Sequence, residues 1–474
     1  MITMTHPKII QGGMGVAVSG WLLARTVSKL GQLGVVSGTA LSVILARRLQ
    51  QGDPGGDMRR ALDHFPVPAV AERVAAKYYI AGGKSTDQPF KLTPMPAIEA
   101  SSAFNDLTVV SNFAEVYLAK EGHDGLVGIN FLEKIQLPTL PSLFGAILAG
   151  VDYVLMGAGI PRHIPGAIDA LVAGKTATLR LDVDGAAPGQ EVNSTFDPKS
   201  YFPDTYPTLK RPYFLGIVAS ATLAMTLAKK SNGKVDGFIV EGETAGGHNA
   251  PPRGPMQLNE LGEPLYGPRD VVDLEKIREL GLPFWLAGSY GQPGKLAEAL
   301  QCGATGVQVG TAFAFCEESG IRPDFKQKAI QLSREGMSRV YTDPLASPTG
   351  FPFKVVIMPG TLSQDDLYAS RTRICDLGYL RKPYVKPGGG LGYRCAAEPI
   401  EDYVAKGGKI EDTQGRKCIC NSLSAAVNMG QTLSESNHEL AILTAGNNAT
   451  RIAEYVPPGQ ETYTAADVIK RLLA

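Results

Sequence analysis

An apolar run, Val235 to Val240, leads into Glu241-Gly-Glu-Thr-Ala-Gly-Gly-His248-Asn-Ala-Pro-Pro-Arg253-Gly-Pro. Glycines at 246 and 247 let backbone come close to a planar ligand, and His248 offers a group that titrates near neutrality. Strand end, glycine pair and histidine read together as a catalytic loop. Near the N-terminus, Ile10-Gln11-Gly12-Gly13-Met14-Gly15 is a strand that opens directly into glycines. Bare backbone there can lie against a flat ring and donate N–H groups to its heteroatoms. Two more strand ends, Ala287-Gly288-Ser289-Tyr-Gly291 and Gln308-Val-Gly310-Thr311, each precede a helical segment. Backbone N–H groups in such places bind phosphate.

These pieces need a scaffold that brings several strand ends to one face. Short Val/Ile/Leu-rich runs ending in Gly, Ser, Asn or Glu alternate with helical segments, the pattern of βαβ units around a parallel sheet. The candidate strands are Lys8 to Gln11, Gly34 to Ser37, Leu126 to Asn130, Tyr153 to Gly157, Tyr213 to Ala219, Gly237 to Glu241, Phe284 to Gly288 and Gly306 to Gly310. They predict an α/β TIM (β/α)8 barrel, whose C-terminal strand ends and loops form the active-site face. An open doubly wound sheet is the structural alternative. A dinucleotide-binding reading of Gly157-Ala-Gly159 fails, because Pro161 and Pro165 interrupt the helix entry and the third glycine is missing.

Helices are expected over Trp21 to Leu30, opened by Ser19 or Gly20, and over Leu296 to Gln301, opened by Pro293-Gly-Lys. Two insertions, about 41–112 and about 174–211, exceed a normal βα connection and suit a pocket wall or an oligomer contact. Within the second, Thr176 to Val183 alternates as an extra strand outside the barrel would. The chain therefore divides into a barrel over 1–320 and an accessory or lid region over 321–474. That region is mostly helical (Asp324 to Glu335, Ile400 to Lys406, Ser422 to Asn428, Ala465 to Leu473), and Gly388-Gly-Gly390 is a turn, not a phosphate loop.

Composition narrows the partners. With 46 basic and 46 acidic residues, no overall field draws the chain to nucleic acid or an anionic membrane, which points to a small-molecule substrate. Phe214 to Ala228 is too short and too interrupted to span a membrane and reads as strand plus helix. Met1 to Lys8 lacks an apolar core of the export type, so a cytoplasmic location is expected. The six cysteines are too sparse for a disulfide scaffold. Cys302 and Cys316 read as core. Cys375, Cys395, Cys418 and Cys420 raise the question of zinc or an iron–sulfur cluster, but the Cys-x-Cys pair lacks the usual two-residue spacing, so buried free thiols and no metal are the expectation. Arg162 and His163 read as a solvated loop tip.

Taken in order, Gln-Gly-Gly-Met, Gly128-Ile-Asn130, Gly157-Ala-Gly159, Glu241-Gly-Glu-x-x-Gly-Gly-His248, Ala287-Gly288 and Gln308-Val-Gly310-Thr311 resemble the nitronate monooxygenase (2-nitropropane dioxygenase) family. That family shares its fold with FMN-dependent enoyl-acyl-carrier-protein reductases and the enoyl reductase of polyunsaturated fatty acid synthases. The resemblance covers the chain to about Phe315 and implies non-covalent FMN. By it, Gly13 and Met14 back the flavin ring, and Asn130 and Glu241 face its polar edge or ribityl chain. Gly247 makes room beside it, Gly288, Ser289, Gly310 and Thr311 bind the phosphate, and Gln308 also binds the cofactor. His248 becomes the base toward a nitroalkane or nitronate, or a donor to substrate in a reductase. The stiffer Asn249-Ala-Pro-Pro-Arg253-Gly-Pro departs from the family and touches substrate preference. The implied activity is oxidation of alkyl nitronates with dioxygen to carbonyl and nitrite. The alternative is an NAD(P)H-dependent reductase of enoyl thioesters, with acyl carrier protein as partner, and the third reading is a non-catalytic barrel scaffold.

Overall fold

The computed structural model describes residues 6–434 and 437–474; the opening residues 1–5, part of the stretch read as free of an export signal, lie outside them. Eight parallel strands close into a barrel in sequential order. They are β1 (Ile9–Gln11), β2 (Leu33–Ser37), β3 (Val127–Leu132), β4 (Tyr153–Gly157) and, after a hairpin of β5 (Ala177–Arg180) and β6 (Asn193–Phe196), β7 (Tyr213–Val218), β8 (Gly237–Glu241), β9 (Phe284–Ala287) and β10 (Gly306–Val309). Closure is made by β1 against β10, with Ile10 beside Gln308 and Gln11 beside Val309. That register carries the glycines after β1 and the Gly310–Thr311 turn to the same rim.

Alternation along the strands sorts the core. Ile10, Leu33, Val35, Tyr153, Leu155, Leu215, Ile239 and Trp285 fill the barrel interior, while their neighbours Ile9, Val36 and Val154 pack outward on the helices. Burying each aliphatic side chain of this size contributes about 1.5–3 kcal/mol, so the barrel is a filled core and not a channel. Its lower end is stopped by aromatics: Trp285 Nε1 donates to Pro7 O at 2.8 Å, Tyr153 stacks on Tyr213 at 5.2 Å, and His6 meets the Trp285 ring edge-on. At the closing seam Gly306 has no substitute, because a Cβ there would sit 1.9 Å from Lys8 O.

The helix after β1, α1 (Trp21–Lys29), starts at Gly20 without a side-chain cap. Ser19 is engaged elsewhere, as shown below. The first insertion is helical: α2 (Leu41–Gln50), α3 (Asp57–Asp63) and α4 (Pro68–Tyr78) lead to the long α5 (Ser102–Lys120), against which α2, α3 and α4 all pack. The stretch before α5 docks on the C-terminal region, with Phe90 N–H donating to Gln431 Oε1 at 2.8 Å and Ile98 N–H to Tyr393 Oη at 2.7 Å. The second insertion forms the β5–β6 hairpin, whose Phe196 tilts against Phe144 on the outside of the barrel. The apolar run at 214–228 is β7 followed by the helix Ala221–Lys230. No helix among the described residues is long and apolar enough to cross a membrane.

Beyond β10 helices prevail, among them Pro323–Arg334, Ile400–Ala405, Ile419–Ala425 and Ala465–Leu473. Three antiparallel hairpins join them: Arg339–Asp343 with Phe353–Ile357, Lys382–Val385 with Leu391–Arg394, and Thr432–Ser434 with Asn437–His438. Gly388–Gly390, all at positive φ, form the turn of the second. A buried pair, Arg371 to Glu439 with Nε and Nη2 at 2.6 and 2.7 Å from the two carboxylate oxygens, ties this region together.

Candidate active site

The upper rim of the barrel opens into one cavity of about 1480 Å³, its mouth included. It is lined by Gly13, Met14, Asn130, Glu241, Gly247, His248, Gly288, Ser289, Gln308, Gly310 and Thr311, so every candidate site residue read from the sequence reaches it. Arg162 and His163 do not; they bond to one another at the start of the helix after β4. Neither insertion lines the cavity; Thr39 and Ala40, just before the first, do.

The turn after β1 is braced from behind. The buried Gln11 side chain donates to Ser19 Oγ at 3.0 Å and to Val35 O at 3.2 Å. Ser19 Oγ in turn accepts from Met14 N–H at 3.0 Å and donates to Gly12 O at 3.0 Å. This is the physical reason why Ser19 does not cap α1: its hydroxyl is spent on holding Gly12–Met14 in place. Asn130 stands against that turn, its Nδ2 donating to Leu155 O at 3.2 Å. A Cβ at Gly13 would fall 2.3 Å from Asn130 Cβ, so only glycine permits this contact.

Across the cavity, Glu241 ends β8 and the loop to His248 is pinned by the C-terminal region. Gly247 N–H donates to Thr444 Oγ1 at 3.0 Å, Lys354 N–H to Gly247 O at 3.0 Å, and Asn249 N–H to Pro352 O at 2.9 Å. The His248 ring stands edge-on to Phe353 at 4.9 Å, and its Nε2 lies 2.7 Å from Ser347 Oγ. Ser347 is fully buried; its hydroxyl reaches Thr349 Oγ1 at 2.8 Å and its carbonyl accepts from Arg416 Nη1 at 2.6 Å. The sequence reading missed Ser347, Thr349 and Thr444, and no local pattern marks them.

Burial sets the charge of the site. Desolvation pushes the Glu241 carboxyl up to about 8 and pulls the His248 imidazole down to about 4. Both side chains open on the cavity while protein surrounds them on their other sides, and desolvation favours the uncharged form of each near neutral pH. A protonated Glu241 donates a hydrogen bond, and a neutral His248 can accept a proton. Gln308 Oε1 is buried without a partner and borders the cavity. A Cβ at Gly247 would meet nothing within 4 Å, leaving open space beside the histidine. Ser289 is held at φ +60, a left-handed conformation of the sort that collects at ligand-binding turns. These features fit a flat ligand with acceptor-seeking N–H groups and an anionic end.

Residues 171–342 match the family described as nitronate monooxygenase. The matched segment carries β8 to β10 with Glu241, His248, Gly288, Ser289, Gln308, Gly310 and Thr311, while Gly13, Met14 and Asn130 lie upstream of it. A probable nitronate monooxygenase of Bacillus subtilis is 32% identical over 117 residues, 25% of this chain and 32% of that protein. One of Staphylococcus saprophyticus is 32% identical over 129 residues, 27% of this chain and 34% of that protein. The chain thus spans about a third of the length of the curated relatives it matches. Among solved structures, FabK from Thermotoga maritima aligns over 99% of this chain and 92% of its own at 17% identity and a TM-score of 0.49.

Proposed function

We propose that the chain is an oxidoreductase that binds FMN non-covalently and oxidises alkyl nitronates with dioxygen to a carbonyl compound and nitrite. One observation carries this reading: His248, Glu241 and the glycine-rich ends of β1, β8, β9 and β10 line a single cavity, and the last three of those strands lie in the nitronate monooxygenase segment. Bound FMN would supply the electron transfer and the reaction with oxygen. The chain's own groups do the rest. Backbone at Gly13 and Met14 would support the ring, Asn130, the neutral Glu241 and the unpartnered Gln308 Oε1 would serve its polar edge, Gly247 leaves room for substrate, and Gly288, Ser289, Gly310 and Thr311 would hold the phosphate.

In the tautomer that donates Nε2–H to Ser347, the lone pair of His248 stands on Nδ1, where it can take the proton from the carbon of a neutral nitroalkane. A substrate that arrives as the nitronate has no such proton to lose and needs His248 only for orientation. The deciding experiment is the anaerobic visible spectrum of the purified protein, recorded before and after propyl nitronate and, separately, NADPH or NADH. Flavin bands that change with nitronate and not with nicotinamide support the proposal. Bleaching by nicotinamide alone moves the assignment to an enoyl-thioester reductase, and a colourless protein that takes up no FMN overturns both.

A further inference from the structure

Cys375, Cys395, Cys418 and Cys420 come from three separate stretches of the C-terminal region, yet all four border one small cavity of about 300 Å³. None is in a disulfide. Every pair among them is close enough for the charge of one sulfur to raise the pKa of another. They do not meet at a point: among the described residues no three Cys, His, Asp or Glu side chains are set to hold a metal ion. A single tetrahedral zinc draws its sulfurs to about 2.3 Å from one centre. Four sulfurs that border one cavity without sharing a centre suit a guest with several metal atoms.

Burial raises the pKa of all four thiols, and each sulfur also faces a backbone hydrogen bond that acts the other way, from Gly378 to Cys375, Ala397 to Cys395, Asn421 to Cys418 and Leu380 to Cys420. Asn421 Nδ2 adds a second donor to Cys418 at 3.7 Å. Neutral thiols are weak acceptors and gain little from such donors, whereas cluster-bound thiolates are tuned by them. Arg371 acts on Cys418 and Arg381 on Cys375 with positive charge, and Arg371 Nη1 is buried without a partner. Ile374, Leu377, Leu380 and Ile419 complete the apolar part of the cavity wall. Short loops set Cys395 just past the strand Leu391–Arg394 and place Cys418 and Cys420 at the start of the helix Ile419–Ala425.

We propose that Cys375, Cys395, Cys418 and Cys420 ligate a four-iron, four-sulfide cluster. Cys420 also lines the main cavity, so the cluster shares a wall with the pocket in which the function above places its flavin. The assignment of the cluster does not rest on that function. All four ligands enter as thiolates, so loading releases their protons and is weakened by acid.

The full chain, expressed with added iron and purified without oxygen, is tested for iron, acid-labile sulfide and zinc, and for an electron paramagnetic resonance signal after dithionite reduction. A sample lacking iron is reconstituted with ferrous iron, sulfide and thiol and measured again. The expected result is about four iron and four sulfide per chain with a reduced-cluster signal. Cys395→Ser and Cys420→Ser lower the iron content at least fourfold, whereas Cys302→Ser, which lies outside the cavity, leaves it unchanged. Folded protein without iron or sulfide after reconstitution, or with one zinc per chain in their place, overturns the proposal even if a serine variant fails to fold. Because the readout is metal content, a wrong substrate assignment leaves this result untouched.

Discussion

Glu241 offers the sharpest test of how the barrel mouth is built, because its carboxyl ends β8 in the cavity and burial alone raises it from 4.5 to about 8. Below the unfolded value the group is protonated in both states and contributes no pH dependence. As the pH rises, the unfolded chain releases the proton while the folded chain keeps it, so the folded state binds more protons and stability falls until the folded value is passed. Each pH unit within that window costs about 1.36 kcal/mol, which amounts to a loss of about 4 kcal/mol between about pH 5 and about pH 8.5. Glu241→Gln keeps the shape and removes the titration. Urea unfolding of ligand-free parent and variant at both ends of the window measures the difference. The parent should lose about 4 kcal/mol more than the variant on going to the higher pH. Parallel losses in the two proteins would show that water or an unseen donor already solvates the carboxylate, and the reasoning from burial would be wrong.

His248→Ala should retain flavin but turn over neutral nitroalkane about 10²–10⁴-fold more slowly, with nitronate oxidation affected far less; equal losses on both substrates would remove its role as base. Since burial holds the imidazole near 4, the parent's rate on neutral nitroalkane should show no inflection near pH 6.5, and a clear one in a pH–rate profile contradicts the desolvated setting. Ser347→Ala should reduce nitroalkane turnover about tenfold through misplacement of the ring, leaving flavin content unchanged by absorbance. Glu439→Gln strands the buried Arg371 and should destabilise the protein by about 3–5 kcal/mol in denaturant unfolding; a change below about 1 kcal/mol would mark the pair as solvated.

The barrel was legible because each strand combines an apolar run with a glycine or polar stop, and the expected segments fall within one or two residues of the observed ones: Lys8 to Gln11 against Ile9–Gln11, Leu126 to Asn130 against Val127–Leu132. The hairpin strand within Thr176 to Val183 was legible for the same reason, its alternation surviving as Ala177–Arg180. Of the two openers read for α1, Gly20 is the one observed; a serine before a helix has two partners to choose from, and only the fold reveals that Met14 and Gly12 win Ser19 over the helix end. The helices of the first insertion were hidden by their own punctuation. Gly56 precedes α3 in the left-handed region and Pro68 opens α4, so residues that end one helix and start the next read as a broken, polar stretch. The partners of His248 were out of reach for a different reason. Ser347 and Thr444 lie 99 and 197 residues from the groups they touch, and no short-range periodicity encodes a meeting at that separation.

The hydrogen bonds that pin the His248 loop also fix when the site comes into being. Gly446 N–H donates to Thr311 Oγ1 at 2.8 Å and Asn447 N–H to Thr244 O at 3.0 Å, while Thr444, Ala445 and Asn448 form part of the cavity wall. Synthesis proceeds from the N-terminus, and domains fold as they emerge. All eight strands of the barrel are thus made while the segment that closes its mouth is still missing. A barrel without residues 444–448 lacks the hydrogen bond that pins the histidine loop at Gly247 and part of its cavity wall.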